Sequence, residues 1–157
     1  MDYFDYSYKH NYIEFSSSIY KVGTYHYNWY GETEILILLK GRVEMSCNDE
    51  AFILEPLDAV IISPQVGHST LALEEDVIAF SIRVGHEFYQ QYDPDFGMYQ
   101  FVVRSDESIR HNQFFTTLRH HAAMMMLLMA KGESPVHRMW VEHHYLALAG
   151  DVFREFD

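Results

Sequence analysis

Residues 26–41 read HYNWYGETEILILLKG, and this stretch decides the fold class. Its first half alternates, with Tyr25, Tyr27 and Trp29 falling on one face of an extended chain and His26, Asn28 and Tyr30 on the other. Its second half, EILILL, is continuously apolar, the pattern of a strand covered on both faces. Glu34 stands at the start of that apolar run, and Gly41 closes it with a turn.

Outward from this segment the first 84 residues read as β structure. YIEFSSS, RVEMSC, AFILE, AVIIS, HSTLAL and VIAFSIRV are short runs rich in β-branched and aromatic residues. They are separated by KG, NDE, PLD, PQVG and EED, and NDE predicts a tight hairpin. Seven or eight strands at this spacing predict a sandwich or barrel. From about residue 105 the period changes to a helical one, with Phe114, Phe115, Leu118, Ala122, Met125, Met126 and Met129 forming a stripe. Ser105 or Ser108 is expected to cap this helix, and KGESP to end it. A second helix is expected from Pro135, with its stripe through Val136, Met139, Trp140, His143, Leu146 and Ala147. The short connection predicts an antiparallel pair. Between the two halves, residues 85–105 suggest a short helix, a Pro-Asp turn and one extended piece.

Composition narrows the function. The 157 residues suffice for one domain with a real core, and a 48% hydrophobic, 16% aromatic chain is not disordered. A net charge of −12, from 23 acidic against 11 basic side chains, repels nucleic-acid phosphates. No phosphate-binding glycine loop, paired-cysteine metal knuckle or helix-turn-helix pattern is present. The single Cys47 cannot form an internal disulfide, and no apolar run is long enough to span a bilayer, so a cytoplasmic protein is expected.

The order of signals over residues 26–68 resembles a cupin, and more narrowly the N-terminal sensor domain of AraC-type transcription regulators. Glu34 and Gly41 have the spacing of the glutamate and glycine in the first cupin motif. The two histidine positions of that motif fall on Asn28 and Tyr30, and His26 matches an additional histidine common in the sensor domains. The second motif reads PLDAVIISPQVGH, giving Asp58, Pro64, Gly67 and His68, with Leu57 where the turn glycine stands in the family. The resemblance runs on through the two helices and covers nearly the whole chain. It implies a mainly β fold, a cupin jelly-roll barrel with an N-terminal arm over residues 1–104, followed by an antiparallel pair of dimerisation helices over 105–157. The paired helix-turn-helix domain that binds DNA in this family would lie beyond Asp157, so DNA is expected as a partner only through that further domain.

The site expected at the barrel mouth is His26, Asn28, Tyr30, Glu34 and His68. Cupin enzymes hold a divalent metal through three imidazoles and a carboxylate, but Asn and neutral Tyr are poor ligands, so no metal is expected. Carboxylate, amide and aromatic groups instead suit a sugar, bound without catalysis and without a cofactor. The alternatives are a metal-dependent cupin enzyme with a degenerate ligand set, and a stand-alone sugar-binding cupin. Each residue has a plainer reading as well. Tyr25, Tyr27 and Trp29 fill the core, Asn28 with Glu34 closes the mouth, and His68 caps its strand. The helices are expected to form a homodimer through Leu118, Ala122, Met125, Met126, Met129 and Trp140, a methionine-rich seam. Adjacent helical residues point about 100° apart, so neither His120–His121 nor His143–His144 can chelate as a pair. They are expected at an interface or in solvent.

Overall fold

The computed structural model describes residues 2–10, 13–23, 26–28, 31–96 and 100–156. It divides into two compact units, Met1–Ser108 and Ile109–Asp157. The strands of the first are β1 (Asp2–His10), β2 (Ile13–Lys21), β3 (His26–Asn28), β4 (Glu32–Lys40) and β5 (Val43–Cys47). They continue with β6 (Glu50–Leu54), β7 (Ala59–Ile62), β8 (His68–Ala72), β9 (Ile78–Gly85) and β10 (Val102–Arg104), with a short helix α1 (His86–Gln90) after β9.

Strand order defines the architecture. One sheet runs β1-β2-β9-β4-β7-β10 and the other β3-β8-β5-β6, and the pairs are antiparallel. From β2 to β9 the chain crosses between the sheets at every connection except the β5–β6 hairpin. That is the doubled Greek key of a jelly roll, with β1 and β10 added at the two edges of one sheet. The turns that make the crossings are those the sequence announces. Asn48 and Asp49 both have positive φ, 50° and 63°, as a two-residue hairpin turn requires. Gly41 has φ +78°, and a Cβ there would lie 2.8 Å from Val77 Cγ2.

β4 is buried on both faces. Ile35, Leu36, Ile37 and Leu38 are all at most 2% exposed, which is why its run has no polar alternation. Leu36 and Leu38 point into the barrel, where they pack with Val43, Met45, Phe52, Leu54, Val60, Ile62 and Ala79. At about 1.5–3 kcal/mol for each large apolar side chain, this interior is the main stabilising mass of the barrel.

Three expectations change. Residues 2–21 are not a separate arm: β1 pairs with β2, and β2 with β9, so the segment is built into the sheet. Ser105 does not cap a helix. It ties the end of β10 to the start of β7, its Oγ donating to Asp58 Oδ1 at 2.8 Å and accepting from the Ala59 amide at 2.9 Å. Ser108 sits in a turn, where its amide and hydroxyl both donate to Asp106 Oδ1.

The second unit is a helical hairpin of α2 (Gln113–Ala130) and α3 (Pro135–Phe156). Asn112 is the N-cap of α2, its Oδ1 accepting from the Phe115 amide at 2.9 Å. Gly132, at φ +110°, turns the chain after α2, and Pro135 opens α3 where its missing N–H costs nothing. On α2 the buried residues are Phe115, Leu118, Ala122, Met125 and Met129, alternating steps of three and four. On α3 the buried face is Val141, His144, Tyr145, Leu148, Ala149 and Val152, not the stripe through Val136, Met139, Trp140 and His143, which is exposed. The apolar count misplaces this face because two of its members, His144 and Tyr145, carry polar tips.

Candidate functional site

The barrel interior is apolar except toward one end. On β4 the inward positions are Glu34, Leu36 and Leu38, two residues apart. Opposite Glu34, Leu36 and Leu38 on β9 stand Arg83, Ser81 and Ala79. On the other sheet, Cys47 and Met45 oppose His68 and Thr70 of β8, and directly opposed residues share a face. The inner face therefore grades from Leu, Val and Ala to a polar group of Glu34, His68, Thr70, Ser81 and Arg83. The first four of these are at most 4% exposed.

Glu34 ties the two sheets together. Its Oε1 lies 3.1 Å from His68 Nε2, and its Oε2 accepts from Ser81 Oγ at 3.3 Å. His68 Nδ1 faces the Val66 carbonyl at 3.3 Å. Both ring nitrogens thus face acceptors, an arrangement that only a doubly protonated imidazole fully satisfies. Burial works against that charge. The hydrogen bond and negative charge of Glu34, helped by Val66, outweigh it, and the His68 pKa is raised. A carboxylate has about four acceptor positions, and these two contacts occupy two of them.

The expected site residues divide accordingly. The structure brings Glu34 and His68 together. β3 places Asn28 opposite His68 and His26 opposite Thr70 in register. Tyr30, Tyr25 and Trp29 lie outside the described residues. Three members escaped the sequence reading, Thr70 on β8 and Ser81 and Arg83 on β9. The signal for Ser81 and Arg83 was present, since in VIAFSIRV they share the parity of Ala79 on a strand that is otherwise apolar.

The second motif is also formed. Leu57 has φ +73°, the left-handed conformation natural to the glycine it replaces. Around it Leu57 N donates to the Leu38 carbonyl at 2.7 Å, and Asp58 Oδ2 accepts from the Glu55 amide at 3.0 Å. Asp58 is thereby a structural residue, holding the β6–β7 turn and Ser105 together.

A divalent metal of the kind cupin enzymes carry does not fit this donor set. Glu34 and His68 supply one carboxylate and one imidazole, and Asn28 stands in the register position facing His68. Among the described residues no group of three or more His, Cys, Asp or Glu side chains is arranged to hold a metal ion. Cys47, buried, has its thiol pushed up by burial and by Glu50 against the pull of Arg104, which leaves it a poor nucleophile.

In the hairpin, Leu118, Ala122, Met125 and Met129 are already buried within a single chain, and Met126 is half-buried. The exposed apolar residues are Leu127, Val136, Met139 and Trp140, grouped within two turns of the 131–134 connection. His120 and His143 are exposed, whereas His144 is buried and His121 nearly so, facing each other with Nδ1 atoms 2.9 Å apart. A cavity of about 360 Å³ at the opposite end of the hairpin is lined by Gln113, Phe114, Thr117, Asp151, Arg154 and Glu155. Among the described residues no helix is long and apolar enough to cross a membrane.

Solved structures similar to this chain include two described as cupins and a DMSP lyase. A cupin-superfamily protein from Desulfitobacterium hafniense is 13% identical, with 54% of this chain and 81% of that one covered at a TM-score of 0.42. The Schizosaccharomyces pombe Cnp3 cupin domain is 10% identical, with 57% and 69% covered at 0.45. The DMSP lyase DddQ from Ruegeria pomeroyi is 18% identical, with 52% and 46% covered at 0.42. No protein-family model and no curated protein matches the sequence. The strand order is that of a jelly roll, and an antiparallel helical pair follows it in the chain.

Proposed function

We propose that this chain is the effector-sensing and dimerisation module of an AraC-type transcription regulator, binding a small polyhydroxylated ligand, a sugar, without catalysis. One observation carries the reading: a carboxylate 4% exposed, in an apolar barrel, held by His68 and Ser81 with acceptor positions to spare. Burying such a group is costly unless its remaining lone pairs meet donors, and the adjacent hydroxyls of a sugar are donors of the right kind. Thr70, Arg83 and the register positions of His26 and Asn28 extend the polar end on both sheets. Such a module works in the cytosol, and its helices pair with a second copy. The surface left for that copy is Leu127, Val136, Met139 and Trp140.

The test is thermal unfolding of the chain against mono- and disaccharides, with and without a chelator. At 100 times its dissociation constant a ligand stabilises by about 2.7 kcal/mol, several degrees for a domain of this size. A selective rise that survives the chelator and disappears in Ser81→Ala is the expected result. Equal binding by Ser81→Ala and Glu34→Gln would remove the polar end as the site. A rise that the chelator abolishes would favour a metal-dependent enzyme instead. Light scattering that finds only monomer at micromolar concentration removes the dimer.

A further inference from the structure

The two histidine pairs of the hairpin do not act as pairs along the chain. His121 lies eleven residues before Gly132 and His144 eleven residues after Glu133, so an antiparallel hairpin sets them opposite one another. They meet there with Nδ1 atoms 2.9 Å apart, ring centroids 5.2 Å apart and the rings tilted by 50°. Each imidazole is about 1.2 Å from centroid to nitrogen, so a centroid distance that nearly equals the nitrogen separation plus two such radii means the nitrogens point at each other. This is the geometry of one shared hydrogen, N–H···N, and not of two lone pairs converging on a third atom.

We infer that His121 and His144 form an acid-sensitive latch between α2 and α3, closed while one proton lies between their Nδ1 atoms and opened when each nitrogen carries its own. Proton counting gives the mechanism. With both rings neutral, one Nδ1 donates and the other accepts. The first added proton is tolerated, because it goes to a ring nitrogen away from the seam, and His121 Nε2 faces Asp151 Oδ2 at 3.6 Å. The second cannot be. It sets two N–H groups head to head at a distance that permits one hydrogen, with two positive charges behind them.

The other groups acting on the pair reinforce this. His120 from α2 and His143 from α3 have rings 5.6 Å from His121 and 5.0 Å from His144 respectively, and each adds repulsion when protonated. Asp151 is the anion that faces His121, and its other oxygen is engaged by Arg154 at 3.2 Å. Burial comes first in lowering the pKa of both histidines. Asp151 opposes this at His121, and the neighbouring imidazoles press both lower. Asp151 also lines the cavity at that end of the hairpin.

The experiment is hydrogen exchange of the full chain between pH 7.5 and 4.5, read by mass spectrometry for peptides of residues 113–156 against peptides of the barrel, after correction for intrinsic exchange. The latch predicts that opening of the hairpin approaches a gain of about tenfold per pH unit below the ordinary imidazole value of about 6.5, one proton per opening, while the barrel peptides keep their protection longer. In His144→Phe, which keeps a ring of similar size in the seam and removes the second acceptor, that slope disappears. Equal slopes in parent and variant overturn the inference, as does a parent hairpin whose protection is flat with pH. If His144→Phe does not fold, NMR titration of the parent's ring protons decides. Two well-separated steps shared by His121 and His144 support the latch, and two independent, ordinary titrations overturn it.

Discussion

Two buried histidines, one in each unit, show how a side chain of fixed chemistry is given opposite work by its neighbour. His68 crosses the gap between two sheets to meet a carboxylate, and His144 crosses between two helices to meet another imidazole. Both are largely withdrawn from water, and burial opposes charge on both. At His68 the Glu34 anion reverses that tendency, and the contact is strongest when the ring is charged. At His144 the neighbours are further imidazoles, the tendency stands, and the contact fails when both rings are charged. The barrel's polar end is thus built around a charge, whereas the hairpin seam is built to exclude a second one.

The largest expected effect tests whether Glu34 and His68 are one unit. Removing a single partner leaves an uncompensated polar or charged group in a low-dielectric interior, so His68→Leu should cost about 3–5 kcal/mol in denaturant unfolding. Replacing both, Glu34→Leu with His68→Leu, should cost clearly less than either single change, since an apolar pair of similar volume suits Leu36 and Ile62 below it. Additive losses would mean that each residue is held by other partners. The same pair of experiments separates stability from function, because the double variant should fold and bind no sugar.

Two smaller effects, of opposite sign, set the units side by side. Asn112→Ala removes the side-chain acceptor for the Phe115 amide and should lower the stability of the hairpin by about 1 kcal/mol. Leu57→Gly removes a half-exposed leucine from a left-handed conformation and should raise that of the barrel by about 1 kcal/mol. Hydrogen exchange resolved by region distinguishes them. Should both changes move both regions equally, the units unfold as one cooperative body.

What the sequence disclosed follows from the range of the forces involved. β4 was legible because a buried strand needs an unbroken apolar run, and the β5–β6 turn because Asn48 and Asp49 suit positive φ. Glu34 and His68 were legible as motif positions, yet their contact spans 34 residues and no local pattern records it. Ser105 read as a helix cap because serine near a helical period is the common local signal. Its actual partners, Asp58 and Ala59, lie at the start of β7, the strand paired with β10 but 47 and 46 residues away in sequence. The face of α3 was misread because His144 and Tyr145 count as polar in a periodicity sum while packing as core. The His121–His144 contact was recoverable from symmetry about the 131–134 connection, a signal of tertiary pairing that helical period alone does not carry.

The finest test of the comparison is the sign of a pH slope. Because the folded-state pKa of His68 is raised, its pair with Glu34 stabilises fully below the unfolded value of about 6.5, and that contribution is lost as pH rises through the folded pKa. Between about pH 6 and 8.5 the barrel's buried Cys47 and Tyr89, both pushed up by burial, stay protonated. The parent barrel should therefore lose stability across this window, and His68→Gln, which cannot take up the proton, should show a flatter profile. The Tm difference between parent and variant should shrink as pH rises. A difference that holds constant would mean that His68 contributes as a neutral hydrogen-bonding ring. Glu34 would then face a neutral ring, and the two histidine sites would differ in partner but not in protonation.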